Sequence, residues 1–395
     1  MWKIAPIRFV LKVIVCAIIS FSAAAQENVL PGIARSSEYL PALRGKHVAV
    51  VINQTSEWKG VSLLDKLIEE KIDVRTVFVP EHGFRGTADA GAHIDNATDA
   101  KTGLPVVSLY GKNKKPSREQ MQGIDVVVYD LQDVGVRFYT YISTLQYVME
   151  ACAESGVFLM VLDRPNPNAH LIDGPVLDTS LRSFVGMQPV PVLYGMTCGE
   201  YAMMLRGEGW IPNAGKLFMQ VIPCENYTHK TRYALPVSPS PNLKSMTAIY
   251  LYPGLCLFEG TEVSVGRGTD KPFEQWGHPG FKAKSRYHFE PKGRQGAQHP
   301  LWEDKKCYGQ LVAANTEEAY EMTKGGLDLK PLLTAYNWSE DKQHFFNDFF
   351  DKLAGNRELK EQIQQGISEE EIRKSWVENL DRFRTIREVY LLYKD

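Results

Sequence analysis

The sequence predicts an α/β fold, a parallel sheet covered by helices on both faces, followed by a second region of mixed helix and strand. Two observations carry this. Over residues 46–165, five short apolar runs alternate with amphipathic helical patterns. The runs lack in/out alternation, as strands buried on both faces do. The second observation is that four of the runs end in a polar cluster, and in an open parallel sheet the strand carboxyl ends line one ligand-binding crevice.

In chain order, strands are expected near 48–53, 74–79, 105–110, 124–129 and 157–162, and helices near 61–70, 117–122 and 140–155. Ser117 and Gln120 form a capping-box start for the short helix. Ile142, Leu145, Met149 and Cys152 give the third an inward apolar stripe, with Cys152 as a plain core thiol. From about 170 the character changes to Pro, Gly and Tyr, with short strand-like pieces such as 217–222. Long ordered loops of this kind usually carry function. Residues 309–393 return to helix, where Ile372, Trp376, Leu380 and Phe383 mark a core-facing stripe.

Composition narrows the function classes. The chain has 395 residues, 44% hydrophobic and 23% charged, with a net charge of −2. That length allows two domains, and the charge offers no basic footprint for nucleic acid. Residues 1–25 have the order of an export signal. Lys3, Arg8 and Lys12 precede an apolar stretch at 13–21, and Ala23-Ala24-Ala25 fits a cleavage site before Gln26. The stretch is too short to span a bilayer. A secreted or periplasmic protein that does not engage the membrane after signal removal is the expectation. Five cysteines follow the signal, with no zinc-like spacing. His82 and His93 do not form H-E-x-x-H, and neither G-x-G-x-x-G after the first strand nor a P-loop occurs, so neither metal nor cofactor is expected. There is also no G-x-S-x-G elbow.

What remains is carboxylate chemistry. Glu81 follows the second strand directly, in Pro80-Glu81-His82-Gly83. A strand-end carboxylate in a partly dry crevice has a raised pKa and suits general acid work, although a cap or a salt bridge, for example to Arg85, would explain it equally. Asp130 and Asp133 lie on the turn after the fourth strand with Gln132 and Arg137. They read as a second carboxylate, as acceptors for sugar hydroxyls, or as an Asp–Arg pair fixing the loop. Asp163, Arg164 and Asn166, held between prolines, are ligand contacts or structural supports. Residues 252–274 cluster Glu259, Glu262, Arg267 and Glu274 among glycines, which let backbone approach a ligand.

These segments occur as ordered blocks: Pro80-Glu81-His82-Gly83-Phe84-Arg85-Gly86, then Asp130-Leu131-Gln132-Asp133-Val134-Gly135-Val136-Arg137-Phe138-Tyr139-Thr140-Tyr141, then Asp163-Arg164-Pro165-Asn166-Pro167. Gly195-Met196-Thr197-Cys198-Gly199-Glu200, Ser238-Pro239-Ser240-Pro241-Asn242, Leu257-Phe258-Glu259-Gly260-Thr261 with Gly266-Arg267-Gly268-Thr269, and Trp376 with Tyr390-Leu391-Leu392-Tyr393 complete the series. Together they resemble the exo-lytic β-N-acetylmuramidases, formerly described as a domain of unknown function, over residues 30–395. The resemblance implies a Rossmann-like domain (26–185), a second α+β domain with a helical carboxyl terminus (186–395), and an active site in the cleft between them. It implies release of N-acetylmuramic acid from the non-reducing ends of peptidoglycan fragments, with Glu81 on the family's proposed catalytic glutamate. Glu262 stands where the Glu-Gly-Thr-Asn pattern has Asn, so it is not assigned to catalysis.

The expected catalytic set is Glu81, Asp130 and Glu259. The expected substrate contacts are His82, Arg85, Gln132, Asp133, Arg137, Tyr139, Asp163, Arg164, Asn166, Asn242, Arg267 and Glu274. Arg85, Arg137, Arg164 and Arg267 could each bind the lactyl carboxylate bidentately, and Tyr139, Tyr141 and Trp276 could stack on a sugar. Two alternatives are a non-catalytic muropeptide-binding protein and a cell-wall esterase or amidase.

Overall fold

A computed structural model describes residues 29–81, 83 and 97–395. The export signal, His82, Arg85 and His93 lie outside these residues. The main sheet has seven strands: β1 (His47–Ile52), β2 (Asp73–Val79), β3 (Ala97–Thr98), β4 (Pro105–Ser108), β5 (Val126–Asp130), β6 (Phe158–Leu162) and β7 (Met219–Ile222). Their order is β7-β6-β5-β1-β2-β4-β3, parallel throughout except for β3. Strand order reverses between β1 and β5, which makes that pair the topological switch point.

The apolar runs become strands because both of their faces find helices. Val48, Val50 and Ile52 of β1 point to one face, where Tyr39, Leu40 and Leu43 of helix Ser36–Leu43 and Leu63, Leu64 and Leu67 of helix Leu63–Glu69 cover them. Ala49 and Val51 point to the other face, against helix Tyr141–Ser155. This is the period-2 alternation of a pleated strand with an apolar layer on either side. The stripe Ile142, Leu145, Met149 and Cys152 is buried as expected. The capping box of Ser117 and Gln120 is formed, and helix Glu369–Glu388 buries Ile372, Trp376, Leu380 and Phe383.

The second region has its own antiparallel sheet, in which Cys307–Leu311 lies between Gln275–His278 and His288–Phe289. Helices Met246–Leu255, Thr316–Thr323, Lys330–Trp338, Phe350–Ala354 and Glu358–Gln364 share a hydrophobic core with it. Its core is continuous with that behind helix Tyr141–Ser155. The 217–222 run, a strand-like piece of the second region in the sequence, becomes β7 and pairs with β6 of the main sheet. The first sheet therefore draws on chain beyond residue 185. Helix Cys198–Gly207 is not among the expected elements, although its Thr197/Glu200 capping box is written in the sequence.

Arg137 joins the two regions. Its side chain is fully buried and has no carboxylate partner among the described residues. Nη1 donates to the carbonyls of Pro175 (2.7 Å) and Val190 (2.9 Å), and Nη2 to those of Leu353 (2.8 Å) and Ala354 (2.7 Å). Gly355 closes over it with φ +83°, and a Cβ there would lie 2.4 Å from Nη2. Burial pushes the guanidinium down to about 9, so it remains charged at neutral pH.

Replacing Arg137 with Lys keeps the charge but not the planar fork, and cannot serve four carbonyls. Each buried carbonyl left without a donor costs about 1–3 kcal/mol. Arg137→Lys is expected to lower the chemical-denaturation midpoint by at least the equivalent of about 2 kcal/mol. A change within about 0.5 kcal/mol, the range of ordinary surface substitutions, would show that the fork does not hold the regions together.

Candidate active site

A cavity of about 390 Å³ lies where the carboxyl ends of β2 and β4 meet the second region. Its wall takes Glu81 from the end of β2, Tyr110 from beyond β4, and Phe138, Tyr139, Thr140 and Tyr141 from the loop after β5 and the first residue of helix Tyr141–Ser155. The second region supplies Ser240, Leu243, Tyr252, Cys256, Glu259, Arg267, Phe273, Phe349 and Leu353. The volume falls in the range of small-ligand sites, roughly 300–1,000 Å³.

Glu81 is half-buried, and its Oε2 accepts a hydrogen bond from the Thr140 hydroxyl at 2.9 Å. Glu259 sits in the short helical turn Cys256–Gly260. Its Oε1 accepts from Arg267 Nε at 2.5 Å, and its Oε2 lies 3.7 Å from the Cys256 thiol. Arg267 also packs over the Phe273 ring, 4.9 Å from its centroid. Burial alone would lower the Arg267 pKa, but the Glu259 carboxylate outweighs it and raises the guanidinium above its usual value. Only Nε of this guanidinium is hydrogen-bonded among the described residues, so both Nη groups can meet a ligand. The cavity thus holds two carboxylates, one planar cation and several aromatic rings, a set suited to an anionic sugar.

The other strand-end residues go elsewhere. Asp130 is fully buried in a bidentate pair with Arg164, Nε to Oδ1 at 2.5 Å and Nη2 to Oδ2 at 2.9 Å. Burial raises its pKa and Arg164 counteracts that shift. The expected second catalytic carboxylate is therefore the loop-fixing alternative, and Arg164 is committed to the same pair. Gln132 donates to the Asp133 and Pro165 carbonyls at 2.8 and 2.7 Å. Asp133 accepts from the Gly135 amide at 2.6 Å and from the Tyr194 hydroxyl, with burial pushing it up to about 6. Asn166 donates to the Met196 carbonyl at 2.8 Å and accepts from the Asn168 amide at 2.8 Å. Arg137 holds the carbonyls described above. None of these lines the cavity. The reason is common to them: polar groups at the bottom of a closed crevice have lost water and must find partners within the protein.

Asn242 donates to the Gly296 carbonyl at 2.7 Å, and Glu274 accepts from Ser245, the N-cap of helix Met246–Leu255, at 2.5 Å. Both shape the loops behind the cavity. Tyr139 does face it, with its hydroxyl donating to the Pro239 carbonyl at 2.7 Å. Trp276 is fully buried against Phe258, Phe281 and Trp338 and cannot stack on a sugar. Sequence reasoning missed Thr140, Tyr110 and Phe349. Thr140 lies inside a motif block and adjoins Tyr139, whereas nothing local marks Phe349.

Asp163 shows how firmly a strand-end carboxylate can be absorbed. Its Oδ1 accepts from the amides of Arg164 (3.0 Å) and Gly199 (2.8 Å), and Oδ2 from the hydroxyls of Thr197 and Tyr393, both at 2.6 Å. Burial pushes its pKa up to about 6, above the ordinary value of 3.8. Between 3.8 and about 6 the native state therefore holds a proton that the unfolded chain has released, and this contribution to stability is full below the unfolded pKa and lost as pH rises through 6. In Asp163→Asn the group no longer titrates. The stability of wild type minus that of the variant should fall between pH 4 and 7 by up to roughly 3 kcal/mol. Denaturation midpoints across that range test this, and a difference that is flat or rises with pH refutes it.

The chain is similar over most of its length to proteins of one family. The family model for exo-β-N-acetylmuramidase NamZ matches in two parts, its N-terminal part at residues 48–247 and its C-terminal part at 250–393. The chain is 36% identical over 374 residues to the peptidoglycan β-N-acetylmuramidase NamZ of Bacillus subtilis (strain 168), covering 90% of this chain and 89% of that protein. Two crystal structures of DUF1343 family proteins from Bacteroides fragilis NCTC 9343 superpose on it. One has a TM-score of 0.86 and 42% identity, the other 0.72 and 29%, each covering 93% of this chain and 99% of its own.

Proposed function

The chain belongs to the exo-β-N-acetylmuramidase NamZ family and is a glycosidase of peptidoglycan, and on that premise we propose that it releases N-acetylmuramic acid from non-reducing ends by carboxylate acid/base chemistry. The observation that carries this reading is the company Glu81 keeps: one cavity, small enough for a sugar, also holds Glu259 and the available face of Arg267.

Glu81 is the general acid that protonates the glycosidic oxygen as the bond to the anomeric carbon breaks. The Thr140 hydroxyl holds one carboxylate oxygen and fixes the direction of the other. Glycoside hydrolysis ordinarily needs a second group, which acts on the attacking water or nucleophile. Glu259 is that group, acting either on water or on the substrate's acetamido oxygen. Arg267 receives the lactyl carboxylate through its Nη atoms, and Tyr139 offers an aromatic face in the same wall. The order of charges and Ala-x-Ala in residues 1–25 supports export to the compartment where this substrate lies.

Glu81→Gln keeps the shape and removes the proton, and loss of a general acid typically costs about 10²–10⁴-fold. The variant should lose turnover of a chromogenic β-N-acetylmuraminide by that factor at an unchanged melting temperature. Activity within a few-fold of wild type would remove Glu81 from the mechanism.

Arg267→Lys keeps a cation beside Glu259 but loses the bidentate fork. A charge-assisted hydrogen bond is worth about 1.5–3 kcal/mol, or roughly 10- to 150-fold in rate. The variant should lose kcat/KM on the muraminide to that extent and retain whatever rate it has on the matching glucosaminide. Equal losses on both sugars would mean that Arg267 only supports Glu259.

A further inference from the structure

A second cavity, of about 560 Å³, adjoins the first and shares Lys114 and Phe184 with it. Phe184 is the partition. It sits in the tight turn closed by Ser183 and Gly186, and its carbonyl accepts from the Ser143 hydroxyl at 2.7 Å. On the side of the first cavity its ring lies 6.1 Å from that of Tyr110. On the other side it stacks on Tyr147 at 6.2 Å with an interplanar angle of 15°. The three rings form an aromatic rail leading from the first cavity into the second, where Trp210 completes the wall.

The second cavity is also cationic. Lys114 Nζ lies 4.5 Å above the Phe184 ring, and Arg182 donates to the Gln188 side chain at 3.3 Å. Neither cation is in an ion pair among the described residues. The acid in this wall, Glu150, is taken by Lys115 at 3.5 Å and by Gln146 at 3.1 Å. A row of aromatic faces beside two unneutralised cations fits a sugar that carries a carboxylate.

We propose that the second cavity is a subsite for the saccharide beyond the scissile bond, in which Tyr147, backed by Phe184, stacks on a pyranose and Arg182 meets the lactyl carboxylate of the next muramic unit. This rests on the muramidase reading of the first cavity. It makes the protein an enzyme that reads chain length and charge on the leaving side, in addition to the sugar that it removes.

The test compares a chromogenic muraminide, which reaches only the first cavity, with a peptide-free tetrasaccharide whose second lactyl group alone is either free or methyl-esterified. Arg182→Ala and Tyr147→Ala should each lower kcat/KM on the free tetrasaccharide about 10-fold, through KM, consistent with one lost charge-assisted or stacking contact. Both should leave the chromogenic substrate unchanged. Esterification should cost wild type about as much as Arg182→Ala does, and cost that variant nothing more. An unchanged tetrasaccharide rate, equal losses on both substrates, or an ester penalty that persists in Arg182→Ala overturns the proposal. Calorimetric binding of the tetrasaccharide to Glu81→Gln, with and without Tyr147→Ala, reads the second cavity without turnover. If wild type fails to cleave any muraminide, the first reading falls, whereas loss of this binding difference alone rejects the subsite.

Discussion

A guanidinium buried without a counter-ion is costly, by several kcal/mol even after relaxation. Arg137 meets that cost with backbone dipoles from three separate stretches of chain, at 175, 190 and 353–354. The consequence is geometric. Phe138, Tyr139 and Thr140 follow Arg137 directly, and Phe349 and Leu353 belong to the turn of chain that it grips. These residues form facing parts of the cavity wall. The position of Thr140, and through it the Glu81 carboxylate, is set by a residue that never touches the cavity.

The carboxyl terminus closes the same structure from the other side. Tyr393 donates to Asp163, and its hydroxyl accepts from the Cys224 amide at 2.8 Å. Glu200, fully buried, accepts from the amides of Leu392 and Tyr393 and bonds to His229 at 2.9 Å. His229 and Arg387 both reach Asp395. The last residues are thus fastened to the ends of β6 and β7. This tie and the continuous core explain why the two regions cannot be cut at residue 185. The chain returns twice to the first sheet, once as β7 and once as its tail.

Four carboxylates follow strands or their turns, and they meet two fates. Asp130, Asp133 and Asp163 are absorbed into internal hydrogen bonds, and Glu81 alone of the four lines the cavity. The difference is what covers the strand end. The loops after β1, β5 and β6 are hydrogen-bonded by residues from 194–199 and from Tyr227, Ser238 and Pro239. The end of β2 faces the second region across a gap. The same local pattern, an apolar strand followed by acid, therefore serves two physical ends.

Much of the architecture was legible because it rests on local, periodic signals. Five strands and their helices are where the apolar runs and stripes place them, to within about two residues. The family was legible from ordered motif blocks. Within the candidate site, Glu81, Glu259, Arg267 and Tyr139 were named from position and are brought together in the cavity. Asp130, Gln132, Asp133, Arg137, Asp163, Arg164 and Asn166 were named by the same reasoning and lie in the scaffold. Whether a polar side chain at a strand end faces ligand or protein depends on what another segment places over it, and that segment lies tens to hundreds of residues away. Arg137 with 353–354, Asp163 with Tyr393, and Phe184 between two cavities are such pairings. By itself the sequence determined the sheet, the family and the chemical groups available. Only the tertiary structure decided which of those groups lost their water to the protein's interior and which kept a face open to a substrate.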